Sequence, residues 1–134
     1  MKKYVFLAMM AMLVMTGCRS TKSVDALQGE WAVVTIGNWE VPDSVEAYLG
    51  FNVGEHFIYG NAGCNEIMGT LVDKMDKGAP LFGSLGGTRK LCRDMRAENM
   101  LMEALGKVYA FHADGASLYL LGADDEVLVT LERR

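Results

Sequence analysis

Histidine and cysteine are both scarce: the 134 residues hold two histidines, His56 and His112, and three cysteines, Cys18, Cys64 and Cys92. A structural zinc site needs four Cys or His ligands at short spacings, and these residues show no such spacing. No Cys-x-x-Cys occurs, so a vicinal redox pair is missing. There is no G-x-S-x-G elbow, and neither histidine has a serine or cysteine partner at a recognisable distance in sequence. His56 therefore reads as a strand residue and not as a general base. The run Gly83-Ser84-Leu85-Gly86-Gly87-Thr88 mimics part of a phosphate cradle, but its lysine, Lys90, follows the threonine instead of preceding it. Asp124-Asp125 sits in a turn signal, where solvation accounts for the acid pair. No catalytic residue, cofactor or metal ligand is assigned.

A concentrated basic face is also lacking, which argues against a nucleic-acid groove. Arg89-Lys90 with Arg93 and Arg96 makes only a local patch, read as a solvated face. Nor is there an apolar run of the roughly 20 residues a transmembrane helix needs. What is present at the start is Met1-Lys2-Lys3, an uncharged and mostly apolar Tyr4–Met15, and Thr16-Gly17-Cys18. This is the layout of a secretory signal over residues 1–17. The small residues before Cys18 resemble a lipobox, so its thiol is expected to take a diacylglyceryl group, although Met15 stands where leucine is usual. An ordinary cleaved signal with a stray cysteine is the competing reading. Acyl chains contribute about 0.8 kcal/mol per buried methylene, and two or more make a stable anchor. Cys18 is thus read as the membrane attachment, with 18–25 a lipidated tether. Arg19 is not an acidic retention signal, which favours the outer membrane as the place where the secreted domain is held in the cell envelope.

Removing that signal takes away five of ten methionines and two lysines, leaving eleven basic against seventeen acidic residues, a net of −6. The remaining chain suffices for one domain with one core, residues 26–134. In an oxidising compartment Cys64 and Cys92 form an even pair. A bridge between them closes a loop worth roughly 3–4 kcal/mol in the chain-entropy model. Two buried free thiols, packed as small apolar groups, are the alternative.

Period-two patterning and turn signals place strands at Gln28–Ile36, Leu49–Val53, His56–Tyr59, Ile67–Asp73, Leu81–Leu85, Val108–His112, Ser117–Leu121 and Glu126–Leu131. Alternation in the first puts Trp31 and Val33 on one face and Ala32, Val34 and Ile36 on the other. Pro42-Asp43-Ser44 reads as the start of a helical turn through Tyr48. Gly60-Asn61-Ala62-Gly63-Cys64-Asn65 reads as a tight corner in a sheet, with glycine supplying positive φ or close approach. Ala97, Leu101, Ala104, Leu105 and Val108 follow the spacing of one buried helical stripe, with Asp94 a candidate N-cap. Glu98 shares that side. It is either a charged group at the barrel mouth or a structural acceptor for backbone near the corner. The pattern describes a mainly β α+β domain: a curled antiparallel sheet or cracked barrel of about eight short strands with one inserted helix.

Four pieces in order resemble the META/HslJ family of small envelope domains: Leu27-Gln28-Gly29-Glu30-Trp31; GNAGCN with Gly69; Thr88-Arg89-Lys90-Leu91-Cys92; and Glu98 with Ala104-Leu105. The match spans roughly residues 26 to 132. The resemblance implies an open β-barrel with an inserted helix, often on a bacterial lipoprotein associated with stress tolerance, and a family without an established catalytic site. It marks Gly60, Gly63, Cys64, Asn65, Gly69, Thr88 and Glu98 as the structural motif. Two functions follow as expectations. One is a non-enzymatic, monomeric envelope module presenting a surface to another envelope protein. The other is a carrier holding an apolar ligand such as an acyl chain in the open barrel.

Overall fold

The computed structural model describes residues 24–72 and 78–134. The expected signal segment 1–17, the expected lipidation site Cys18 and most of the Lys74–Gly78 connection lie outside the described residues. A short 3-10 helix, Val24–Leu27, leads into β1 (Gly29–Ile36), β2 (Trp39–Glu40), β3 (Ala47–Asn52), β4 (Phe57–Ala62), β5 (Glu66–Leu71) and β6 (Phe82–Gly87). Helix α1 (Arg96–Leu105) follows, then β7 (Ala110–Asp114), β8 (Ser117–Leu121) and β9 (Val127–Arg133). Eight of the strands run in the order β6-β5-β4-β3-β1-β9-β8-β7, with β2 off the path beside β1. Every pairing is antiparallel. The sheet curls into a half-barrel with the helix packed against β1, β4 and β9.

One core fills the curl. Trp31, Phe51, Leu49, Ile58, Leu101, Leu105, Leu118, Leu120 and Leu131 are fully buried. The helix contributes Ala97, Leu101, Ala104 and Leu105, the spacing of a single apolar stripe. Val108 is fully buried too, but in the connection after the helix. Packing begins in the 3-10 helix, where Val24 and Leu27 are buried.

The differences from sequence patterning have local causes. The β1–β9 ladder shifts register between Val33 and Thr35. One extra residue in a strand reverses its alternation, so Ile36 joins Trp31 and Val33 in the core. Pro42 to Tyr48 makes no helix: Val45 N–H bonds back to the Pro42 carbonyl at 2.9 Å, closing a single turn. From Ala47 the buried positions Ala47, Leu49 and Phe51 commit the chain to β3. Gly60-Asn61-Ala62 belongs to β4, so the corner is narrower than the motif and occupies Gly63–Asn65. β6 likewise runs on through Gly86-Gly87. The helix N-cap is Met95, and Asp94, one residue earlier, accepts a hydrogen bond from Arg96 N–H at 2.9 Å.

Candidate functional site

Among the described residues Asn65 is the one buried polar side chain, 4% exposed. It sits where β4 turns into β5. Gly60 prepares the approach with φ 155°, where a Cβ would run into the Tyr48 carbonyl oxygen across the β3–β4 ladder. Gly63 turns the chain at φ 105°, its N–H donating to Asn61 Oδ1 at 2.8 Å. The Ala62 N–H then donates to the Asn65 carbonyl at 2.9 Å and closes the corner.

From that position Asn65 uses its whole amide. Its Oδ1 accepts from Thr88 Oγ1 at 2.9 Å and from Lys90 N–H at 2.6 Å. Its Nδ2 donates to the Lys90 carbonyl at 3.1 Å and to Glu98 Oε2 at 2.9 Å. Two donors and two acceptor sites are the full capacity of the group. Glu98 Oε1 accepts from the Asn65 backbone N–H at 2.8 Å, so both carboxylate oxygens are held by one residue. Thr88 Oγ1 also accepts from Glu66 N–H at 3.1 Å. Glu98 lies in the first turn of α1, where a carboxylate is favoured by the helix dipole.

Cys64 and Cys92 form a disulfide, with Cα atoms 6.1 Å apart. Cys64 is buried and Cys92 exposed, in the loop leading to the helix. The network and the bridge thus grip that loop at adjacent points, Lys90 and Cys92. Together they unite Gly60, Gly63, Cys64, Asn65, Thr88, Cys92 and Glu98. Gly69 stands apart in β5, opposite Leu85 and Ile58. His56 lies in the β3–β4 turn at φ 54°, and His112 in β7 stacks on Tyr119, so the two histidines take no part. Among the described residues no group of three His, Cys, Asp or Glu side chains is placed to hold a metal ion.

Two features escape sequence patterning. Leu91, between Lys90 and Cys92, is 94% exposed. The only hint in sequence is an apolar residue inside a cationic run. Along the outer side of β1 runs a cleft of about 390 Å³. It is floored by Ala32, Val34 and Val45, and its charged lining includes Asp43, Glu46 and Glu132. Its walls come from residues distant in sequence, so no local motif announces it.

A family model described as the META domain matches residues 24–134. Among curated proteins none matches the sequence. Three solved structures share the fold at low identity. An NMR structure of a protein from Burkholderia xenovorans is 20% identical, covering 83% of this chain and 86% of its own, with a TM-score of 0.62. A second NMR structure is 19% identical over 79% of this chain and 89% of its own, with a TM-score of 0.59. The crystal structure of a DUF4847 family protein from Bacteroides vulgatus is 15% identical over 81% of this chain and 94% of its own, with a TM-score of 0.54.

Proposed function

The chain belongs to the META domain family, and from that premise we propose that it works as a non-enzymatic, lipid-anchored module of the cell envelope that acts by presenting a surface. The observation that carries this reading is that both oxygens of Glu98 are held by a buried residue of the sheet. Both oxygens of Glu98 are turned onto Asn65, one onto its backbone N–H and one onto its side-chain amide, which is the geometry of a structural acceptor. The buried network has the character of a clasp. It fixes a loop to the sheet and leaves that loop's side chains at the surface.

The lipid anchor rests on the sequence around Cys18, and it sets where the module works. The carrier alternative wants free space between sheet and helix. There the side chains of Trp31, Phe51, Leu101 and Leu105 are fully buried and pack into one cluster, which favours the surface reading. Two measurements test the proposal. Metabolic labelling with palmitate should mark the protein, and Cys18→Ala should remove both the label and the membrane association; unlabelled protein in the soluble fraction would rule out the anchor. A fluorescent fatty-acid analogue should show no saturable binding. Saturable binding competed by unlabelled fatty acid would move the function to the carrier class.

A further inference from the structure

We propose that the Leu91 loop of one copy docks into the β1 cleft of a second copy. This rests on the reading of the chain as a surface-presenting module and names its partner.

The loop has the properties of a prepared ligand. Leu91 is 94% exposed and lies among cationic neighbours, so it is free to be contacted from outside. It is held out by construction: Lys90 is gripped at its N–H and its carbonyl by Asn65, and Cys92 is bonded to Cys64. A loop already ordered loses little conformational freedom on binding. Around Leu91 stand Arg89, Lys90 and Arg93, and among the described residues no carboxylate forms an ion pair with their side chains. Four of the eleven basic residues after residue 17 lie within Arg89–Arg96, in a stretch, 18–134, whose formal net charge is −6. Positive charge is gathered at one place and its complement is elsewhere on the same molecule.

The cleft supplies that complement. Ala32, Val34 and Val45 make an apolar floor, and the volume of about 390 Å³ has room for a leucine and part of a flanking stem. Asp43, Glu46 and Glu132 line it, all exposed, and among the described residues no Lys or Arg pairs with them. Arg134, also in the lining, is engaged by Glu30 Oε1 at 3.4 Å and by the Tyr48 ring at 4.0 Å. Leu91 does not line the cleft of its own molecule, so engagement calls for a second copy. Val45 of the cleft lies against Gly63, next to Cys64 and so close to the loop; a reciprocal contact closes a twofold pair, and a one-way contact propagates unless its rotation closes a ring. Copies held by lipid in one membrane meet at raised effective concentration, which suits a small contact.

The lipid surface itself is a poorer occupant. Gly29, just after the point where the chain enters the fold, pairs with Phe51, while the opposite end of β3, Ala47, pairs with Ala62 beside the clasp. The loop therefore lies at the far end of these strands from residue 24.

The test uses the full chain in its own envelope, with a photo-activated cross-linking residue at position 91 and a second, differently tagged copy. The expected product is an adduct between the two tags, mapped by mass spectrometry to the cleft lining. Asp43→Lys with Glu46→Lys in the second copy should lower its yield at least tenfold, as should Arg89→Glu with Arg93→Glu in the probe copy. Combining the two charge reversals should restore it. All four positions are exposed, and unchanged protease resistance confirms that each variant folds. Adducts to lipid alone, adducts to an unrelated protein, a two-tag adduct indifferent to the charge reversals, or no adduct would each overturn the proposal. Palmitate labelling of the same samples reports separately on the anchor: adducts without label would sink the anchor and leave the docking contact standing.

Discussion

Asn65 and Glu98 are bonded twice, backbone N–H to Oε1 at 2.8 Å and side-chain amide to Oε2 at 2.9 Å, across 33 residues of sequence. The pair ties the β4–β5 corner to the first turn of the helix. Replacing Glu98 by Gln keeps the shape but sets an NH2 group against one of two donors. A buried donor left unsatisfied costs about 1–3 kcal/mol, and Glu98→Gln is expected to lower stability by an amount in that range. Urea unfolding followed by circular dichroism checks it; a midpoint equal to wild type would mean the carboxylate is dispensable to the clasp.

The disulfide holds the same loop two residues beyond Lys90. In the chain-entropy model a closed loop of this length is worth roughly 3–4 kcal/mol. Cys64→Ala with Cys92→Ala should therefore reduce the unfolding free energy by about that much, and reductant should do the same to wild type alone. Because the bridge and the network restrain one segment, their effects should not add. Residues sharing a network typically show coupling of about 0.5–3 kcal/mol. A triple variant that also carries Glu98→Gln, compared with its parents, measures that coupling, and strict additivity would show two independent restraints.

How far this clasp was legible depends on the range of each signal. The helix stripe from Ala97 to Leu105 is local and periodic, so it reads directly. Cys64 and Cys92 announce a pair by number once Cys18 is set aside, and the disulfide joins them. Asn65 is marked by the family resemblance but by no local pattern, since its partners Thr88, Lys90 and Glu98 lie 23 to 33 residues away. The bulge that turns Ile36 inward depends on pairing with β9, almost a hundred residues downstream in sequence, and no pattern within β1 encodes it. Pro42 to Tyr48 fails for the opposite reason: its local turn signal is real, but the burial of Ala47, Leu49 and Phe51 draws the chain into β3 before a helix can form.

Tyr59 gives a pH dependence of known sign. Its hydroxyl donates to Glu30 Oε2 at 3.1 Å. Desolvation, then the hydrogen bond and the negative charge of Glu30, push its ionisation above the usual 10.0. Below that pH the phenol is protonated in both folded and unfolded chains, and the stabilisation is fully present. As pH rises past 10.0 the unfolded chain releases its proton first, so the folded state binds more protons and stability falls. Tyr59→Phe should flatten this alkaline decline. A decline of equal steepness in the variant would place its origin elsewhere.

The last strand closes on the first through Trp31, and here a cation stands in for a wall of the core. Trp31 is fully buried, its Nε1–H donating to the Leu27 carbonyl at 2.8 Å. The guanidinium of Arg133 lies 4.0 Å from the ring centroid and donates to the Gln28 carbonyl at 2.6 Å. A cation over an indole contributes about 0.5–2 kcal/mol, more as it is desolvated. The planar fork does two things at once, stacking on the ring and bonding the backbone, which a lysine ammonium cannot reproduce. Arg133→Lys is therefore expected to lose most of what Arg133→Ala loses, about 1–2 kcal/mol, and to open the buried indole to quencher. Acrylamide quenching of tryptophan fluorescence, with Trp39→Phe as background so that Trp31 alone reports, measures the opening. If Arg133→Lys keeps both wild-type stability and wild-type shielding, charge alone closes the seam and the fork geometry is irrelevant.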